Sequence, residues 1–302
     1  MTGQNTVYDV ATLGNYTKDT IVSPTGKRQV DGGGVCYSAH AAAGLGMKVA
    51  AITRLAAEDS HVLDALEAAG IDVYACETPE STLMRLEYPT ADVDKRTLTV
   101  TATAGSFTPV QVHAVEAKAF VVSPSIRGEV PLDVLKELKK KRATIGLDVQ
   151  GFIRVAAPDG SLQHREWPEE RAVLSQVDIL KADAVEARFL TGEPEIESAA
   201  RALADLGPSE IVLTHRDGLL VFADGEVYET EFYPDDLVGR SGRGDTCLGS
   251  YVAQRLKSPP AEATIWAAAV TSLKMEAEGP FRREIADVLD LLQRKYAVAK
   301  SA

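Results

Sequence analysis

The sequence predicts an α/β protein with a mostly parallel central sheet, helices on both of its faces and a small β-lid. Three observations predict it. From Phe120 onward, short apolar runs alternate with helix-length segments, the pattern of βα units in a sheet covered on both sides. Two glycine-rich loops, Gly32-Gly33-Gly34 and Gly239 to Gly244, each open into a helix. Thr82 to Tyr88 and Arg96 to Thr103 are β-prone but stand outside the alternation, so they read as a hairpin off the main sheet.

Taken in order, Val7 to Leu13 is a strand ending at Gly14-Asn15. Thr20 to Ser23 closes at the turn Pro24-Thr25-Gly26, and Lys27 to Val30 returns as its partner. These join the later hairpin in a lid set at about 15–31 and 73–103, with Pro89 to Lys95 as its polar turn. Tyr37 to Leu45 is an alanine-rich helix ending at Gly46. Val49 to Thr53 is a strand, and Ser60 to Ala69 a helix stopped by Gly70. Phe120 to Ser123, Thr144 to Asp148, Val177 to Ala182 and Glu210 to Thr214 are strands. Helices fall at Pro131 to Lys141, with proline near the start, at Val185 to Leu190 and at Ser198 to Leu206. Gly218 to Phe222 and Glu226 to Glu231 form a hairpin around Asp224-Gly225. Thr246 to Leu256, Ala261 to Met275 and Arg283 to Arg294 are the closing helices, and Ala297 to Ala302 is a tail.

Composition excludes several classes. Lys and Arg number 32 against 44 Asp and Glu, a net charge of −12, which argues against sequence-independent nucleic-acid binding. A few local N–H groups and cations still suffice for one nucleotide. Cys36, Cys76 and Cys247 are odd in number and form no CxxC, so a reducing cytoplasm is the expected setting. The five histidines lack ligand spacing, which removes a structural zinc. The first residues lack a signal-peptide pattern, and no apolar run approaches the ~20 residues of a membrane span. At 302 residues and 45% hydrophobic, the chain suits one domain over 1–302.

The chemistry concentrates in Val238 to Tyr251, VGRSGRGDTCLGSY. Three glycines in six residues lead into an apolar-periodic run, which offers free backbone N–H groups and a positive helix end to an anion. Asp245 stands where loop becomes helix. It is either an ordinary N-cap or a base that takes a proton from a hydroxyl attacking phosphorus. The loop is neither a P-loop nor GxGxxG, and Ser241 misses the nucleophile elbow because Arg243 replaces its last glycine. Cys247 reads as a small buried residue rather than a reactive thiol.

With these pieces in place, the chain resembles the PfkB (ribokinase-like) carbohydrate kinases over nearly its full length. Gly242-Arg243-Gly244-Asp245-Thr246 is similar to the family's second signature. Gly32-Gly33-Gly34 through Gly44-Leu45-Gly46 is similar to its first, sugar-side glycine motif. Lys181-Ala182-Asp183-Ala184-Val185-Glu186 stands in the place of its Asn-x-x-Glu motif, and Thr214 to Gly218 at the strand end lining the nucleotide. The resemblance implies a three-layer αβα sandwich of the ribokinase type and an ATP-dependent kinase. Asp245 would be its general base. The N–H groups of Gly242, Arg243 and Gly244 would form the anion hole. Thr214, Gly218 and Asp183 would line the nucleotide, and Glu186 with Asp183 would order Mg²⁺ through water.

The departures from the family shape the substrate reading. Arg243 replaces the usual alanine and would either clamp the phosphate or point to solvent. Gly239 stands where many members have an aspartate, which leaves dependence on a monovalent cation open. On the acceptor side the resemblance implies Asp19, Gly33, Tyr37, Gln150 and Arg154. The spelling of 239–247, of Asp148 to Arg154 and of Lys274 to Pro280 is similar to a subgroup associated with myo-inositol kinases, so inositol is the expected acceptor. A nucleoside kinase is the alternative, with Tyr16 and Tyr37 as a wall for the base. A non-catalytic binding protein on this fold is a third reading, and it would be expected to lack Asp245. An exposed lid edge would give a second copy a place to pair, as a homodimer.

Overall fold

The computed structural model describes residues 6–24, 26–90 and 97–296. The N-terminal half contains β1 (Val7–Leu13), β2 (Thr17–Ser23), β3 (Gly26–Gly32), α1 (Gly34–Gly44), β4 (Val49–Ala56), α2 (His61–Ala68), β5 (Ile71–Thr78), β6 (Thr82–Glu87), β7 (Thr97–Ala102), α3 (Pro109–His113), β8 (Glu116–Val122), α4 (Leu132–Lys140) and β9 (Thr144–Asp148). Then come α5 (Gln150–Ile153), β10 (Arg154–Ala156), β11 (Leu162–His164), α6 (Glu170–Leu174), β12 (Ile179–Asp183), α7 (Ala184–Thr191), α8 (Ile196–Ala204), β13 (Glu210–Thr214), β14 (Gly218–Ala223) and β15 (Glu226–Glu231). The helices α9 (Arg243–Arg255), α10 (Pro260–Met275) and α11 (Ile285–Leu291) close the chain.

Among the described residues the main sheet has nine strands in the order β15-β14-β13-β12-β9-β8-β1-β4-β5. The seven from β13 to β5 are parallel, and β14 and β15 add an antiparallel edge. One apolar cluster joins α1, α2, α9, α10 and α11 to one face, and a second joins α4, α6, α7 and α8 to the other. The chain leaves β1 toward β4 and β5, then returns on its other side as β8. The order therefore reverses between β1 and β8, and in open α/β sheets the crevice beyond such a reversal is where ligands bind.

The expected three-layer fold is present, and the lid needs one correction. The lid sheet runs β3-β2-β6-β7. β5, which was assigned to the lid through the range 73–103, pairs in parallel with β4 over eight residues and forms the edge of the main sheet. Its polar sequence misled because only part of an edge strand is buried. Most of the expected turn, 91–96, and the tail 297–302 lie outside the described residues. The sequence reading also missed α3, α5, α6 and the β10–β11 hairpin. Each is three to five residues long, too short for a period to register.

The lid is fastened to the body at both of its long sides. On one side Lys18 pairs with Asp59 at 2.7 Å, and Arg28 with Glu278 at 2.8 Å. On the other side the β10–β11 hairpin meets β7, with the Val100 N–H donating to the Gly160 carbonyl at 2.9 Å and Thr99 bridging Ser161. Met84, Leu86 and Ile126 form a small apolar cluster beneath.

The N-terminus of α9 lies at the crevice, and its far end is tied to β13. Buried Tyr251 donates from its hydroxyl to Glu210 at 2.6 Å, and Arg255 grips the same carboxylate. Tyr251→Phe removes a hydrogen bond to a charged group and is expected to cost about 1–3 kcal/mol of stability, read from urea unfolding. An unchanged midpoint would show that Arg255 alone holds Glu210.

Candidate active site

Helix α9 begins at Gly242, whose φ of 73° lies in the left-handed region that glycine enters freely. The bland reading of Asp245 as N-cap is corrected by this. The cap is Gly242, and Asp245 is the third residue of the helix, with no side-chain cap bond. Its Oδ1 is buried and has no hydrogen-bond partner among the described residues. A Cβ on Gly34 would fall 2.4 Å from that oxygen and 2.5 Å from the Cβ of Ser123, so glycine at the start of α1 makes the room Asp245 occupies. Ser123 directly follows β8, so the carboxylate lies over the reversal point of the sheet.

Burial first, and then the charge of Asp148, push Asp245 up to about 6, while Lys181 and Arg154 act the other way. Lys181 was not foreseen. It is buried on β12, with Nζ 2.9 Å from Asp148 Oδ2 and 4.0 Å from Glu186 Oε2. Burial works against its charge. The carboxylates of Asp148, Glu186, Asp183 and Asp245 outweigh it and hold the ammonium protonated well above the ordinary lysine range. A Cβ on Gly244 would lie 2.5 Å from this ammonium, so Lys181 sits directly beneath the first turn of α9. The signal was available, since a lysine inside the apolar strand ILKAD must find a buried partner.

The three N–H groups expected to form an anion hole are not alike. The Arg243 N–H donates to the Arg240 carbonyl at 3.2 Å, whereas Gly242 and Gly244 donate to no backbone carbonyl among the described residues. The Arg243 side chain, expected either to clamp phosphate or to point to solvent, lies against the protein. Its Nη1 donates to the Arg216 carbonyl at 3.3 Å, and the guanidinium lies 5.9 Å from the Phe232 ring centre. It thus spans the turn between β13 and β14 and the end of β15. Cys247 is buried, and burial pushes its thiol up to about 12, as expected of an inert cysteine.

Asp183 and Glu186 form a reciprocal capping box at the start of α7, each carboxylate accepting the other's N–H at 2.8 Å. Glu186 is buried, and burial pushes it up to about 7. Among the described residues no group of three His, Cys, Asp or Glu could hold a metal ion. Mg²⁺ ordinarily takes one or two carboxylates and fills its other positions with water and phosphate, so the pair fits contact through water rather than an all-protein site. Thr214 ends β13 beside Asp183. Gly218 starts β14, where a Cβ would meet the Thr230 carbonyl at 2.1 Å, so strand packing alone requires that glycine.

On the acceptor side, Gly33 caps α1 and Asp19 projects from β2 within electrostatic reach of Tyr37. Tyr37 is not an open wall. It is 4% exposed, and its ring packs where a Cβ on Gly242 would fall, at 2.1 Å. Tyr16 is fully buried and donates to Asp31 at 2.6 Å, so neither tyrosine offers a free face to a base. Gln150 opens α5, and its N–H donates to Asp148 Oδ1 at 3.0 Å. Arg154 starts β10 and its charge is felt at Asp245, Glu186 and Glu129. Glu129 was also missed. It is buried, accepts the Ser125 N–H at 2.7 Å and is pushed up by burial to about 7.

A family model described as pfkB family carbohydrate kinase matches residues 7–282. The chain belongs to the PfkB family. It is a kinase with the ribokinase-like fold, and the comparisons place its acceptor among carbohydrates and nucleosides. The PfkB chain is 32% identical to a solved pyrophosphate-dependent kinase of the ribokinase family, complexed with a pyrophosphate analogue and myo-inositol. The TM-score is 0.86, and 93% of this chain and 99% of that one are covered. It is 26% identical to a cytidine kinase of Thermococcus kodakarensis over 84% of this chain and 91% of that protein. The ribokinase of Arabidopsis thaliana, complexed with ribose and ATP, shares the fold at 20% identity and a TM-score of 0.75, covering 95% and 99% of the two chains. No described helix is long and apolar enough to cross a membrane.

The raised Asp245 carboxyl has a consequence for stability. The native state holds this proton up to about pH 6, whereas an unfolded aspartate releases it near its ordinary value of 3.8. The stability this group contributes is therefore full below about pH 4 and lost as pH rises through 6. Asp245→Asn removes the loss, so its stability relative to the parent should increase between pH 4.5 and pH 8. Urea midpoints at both values measure it. A difference that stays constant with pH would mean that Asp245 titrates alike in both states.

Proposed function

We propose that this kinase moves a phosphoryl group from pyrophosphate to a hydroxyl of a cyclic polyol, with myo-inositol as the best match. The observation that carries the reading is the buried, unpartnered Oδ1 of Asp245 beside the first turn of α9. That oxygen accepts the proton as the hydroxyl attacks the terminal phosphorus. The bond from that phosphorus to the bridging oxygen breaks, and its electron pair leaves on phosphate. The products are a phosphomonoester and inorganic phosphate. The N–H groups of Gly242 and Gly244 face the charge that develops on the transferring group, and the positive end of α9 adds to them. Asp19, Arg154 and Gln150 supply acceptors and donors for a ring of hydroxyls. The lid excludes water, which otherwise competes as nucleophile.

ATP is the donor that the motifs first suggest. Two features support pyrophosphate instead. In-line transfer puts acceptor and leaving group on opposite sides of phosphorus. With the acceptor placed beside Asp19 on β2 and Gly33 at the start of α1, the leaving group falls toward β12 to β15. There the Arg243 guanidinium covers Phe232 and the β13–β14 turn. A guanidinium in that place suits a second phosphate better than a nucleoside. The solved kinases at 32–33% identity are themselves described as pyrophosphate-dependent. No Mg²⁺ held by this chain's own carboxylates enters the reading.

A cytidine acceptor is the second reading, supported by the cytidine kinase relative. The buried faces of Tyr16 and Tyr37 count against it. The test is phosphate transfer from pyrophosphate or ATP, with Mg²⁺ in the buffer, to myo-inositol, ribose and cytidine. Transfer from pyrophosphate to myo-inositol is expected, with kcat lowered ~10²–10⁴-fold in Asp245→Asn. Transfer to cytidine alone would replace the acceptor, and use of ATP alone would replace the donor. The parent kcat/KM should rise with pH and level off above about 6, as Asp245 must be ionised to act.

A further inference from the structure

Lys274 is a buried charge to which the reaction above gives no task. It lies in the last turn of α10 and is 2% exposed. Its Nζ donates to the Gly239 carbonyl at 3.0 Å and sits 5.4 Å over the ring of Tyr37. Among the described residues no carboxylate lies within 4.0 Å of it, although the charges of Glu278 and Asp245 reach it. Burial lowers its pKa to about 8. An ammonium with three N–H donors, held by one carbonyl and one aromatic face, is costly to keep inside a protein. An apolar side chain of similar length would pack the same volume without that cost, so stability alone does not account for a lysine here.

Its surroundings suggest the task. Gly239 begins the 239–242 loop that leads to the Gly242 cap. The Val238 and Gly239 N–H groups donate to the Met275 carbonyl at 2.9 and 3.0 Å. The Ala277 carbonyl lies 2.5 Å from where a Cβ on Gly239 would be. Tyr37 meets Lys274 at its ring face and also packs against Gly242. The Gly239 carbonyl and the face of a tyrosine make an environment for a single positive charge. Gly239 contributes only a carbonyl, with no side-chain carboxylate for a free ion.

We propose that the Lys274 ammonium is a tethered monovalent cation. It fixes the 239–242 loop so that Gly242 and Gly244 present their N–H groups, and it makes the enzyme independent of added K⁺. Lys274 is thus a positioning residue that acts through the Gly239 carbonyl and Tyr37. The residues present do not fit a second, free cation at this carbonyl, because the ammonium already occupies it.

The proposal rests on the phosphotransferase reading only for its activity measurement. Parent activity is measured in KCl, NaCl and choline chloride at equal ionic strength. Lys274→Ala and Lys274→Met are measured in the same salts, with ammonium chloride added to the series. The parent should be equally active in all. Loss of the ammonium misplaces the loop and should lower kcat/KM by ~10²-fold. K⁺ or ammonium, but not choline, should restore the alanine variant at least tenfold, whereas the methionine variant, whose side chain fills the space, should stay low. Thermal midpoints give a readout free of any substrate. The midpoint of Lys274→Ala should rise with K⁺ or ammonium and not with choline, and that of the parent should follow none of them. Stimulation of the parent by K⁺ would overturn the proposal. So would an alanine variant that is fully active, or one whose activity and midpoint ignore every small cation. If the parent transfers phosphate to nothing tested, the phosphotransferase reading fails by itself and the midpoints still decide the role of Lys274.

Discussion

A buried carboxylate with an unpartnered oxygen is expensive, and the centre of this molecule is arranged to keep one in place. Desolvation would drive Asp245 to stay protonated or to find a donor. Gly34 and Ser123 close around its Oδ1 and supply no hydrogen bond. What keeps the group ionisable near neutrality is charge at slightly longer range, from Lys181 on β12 and Arg154 on β10. Asp148 opposes them and is itself engaged by Lys181 at 2.9 Å. A buried ion pair at the ends of two parallel strands thus lies beneath the first turn of α9, beside its apolar packing.

Two lysines perform complementary work around one loop. Lys181 lies under the first turn of α9 and balances the carboxylates of the strand ends. Lys274 lies behind the loop that precedes that turn and meets a carbonyl and an aromatic face. One is raised by its acidic neighbours and the other lowered by burial. The same chemical group can therefore take opposite directions within one site, decided by which atoms replace its water.

The sheet, the glycine loops and the position of Asp245 were legible because they rest on local signals. Glycine runs mark turns, and β13 and β15 match the expected bounds of Glu210 to Thr214 and Glu226 to Glu231. β5 was misplaced because an edge strand carries too little apolar pattern to show which sheet it joins. The roles of Tyr37 and Arg243 were illegible for another reason. Tyr37 was read as facing the acceptor, yet its ring supports Gly242. Arg243 rests on a strand turn rather than reaching into solvent. Both depend on contacts between segments far apart in the chain, which no spacing rule contains. Lys181 and Lys274 left a fainter mark, each a lone charge in an apolar stretch.

The contact between β7 and the β10–β11 hairpin has a mechanical consequence. A flap held along one side swings open about that side. This sheet is held along both, by ion pairs at β2 and β3 and by backbone bonding at Val100 and Gly160. It behaves like a strap buckled at two ends, and admitting a molecule means undoing one buckle while the other serves as the axle. Because the hairpin begins at Arg154, that buckle and a charge felt at Asp245 belong to one short element.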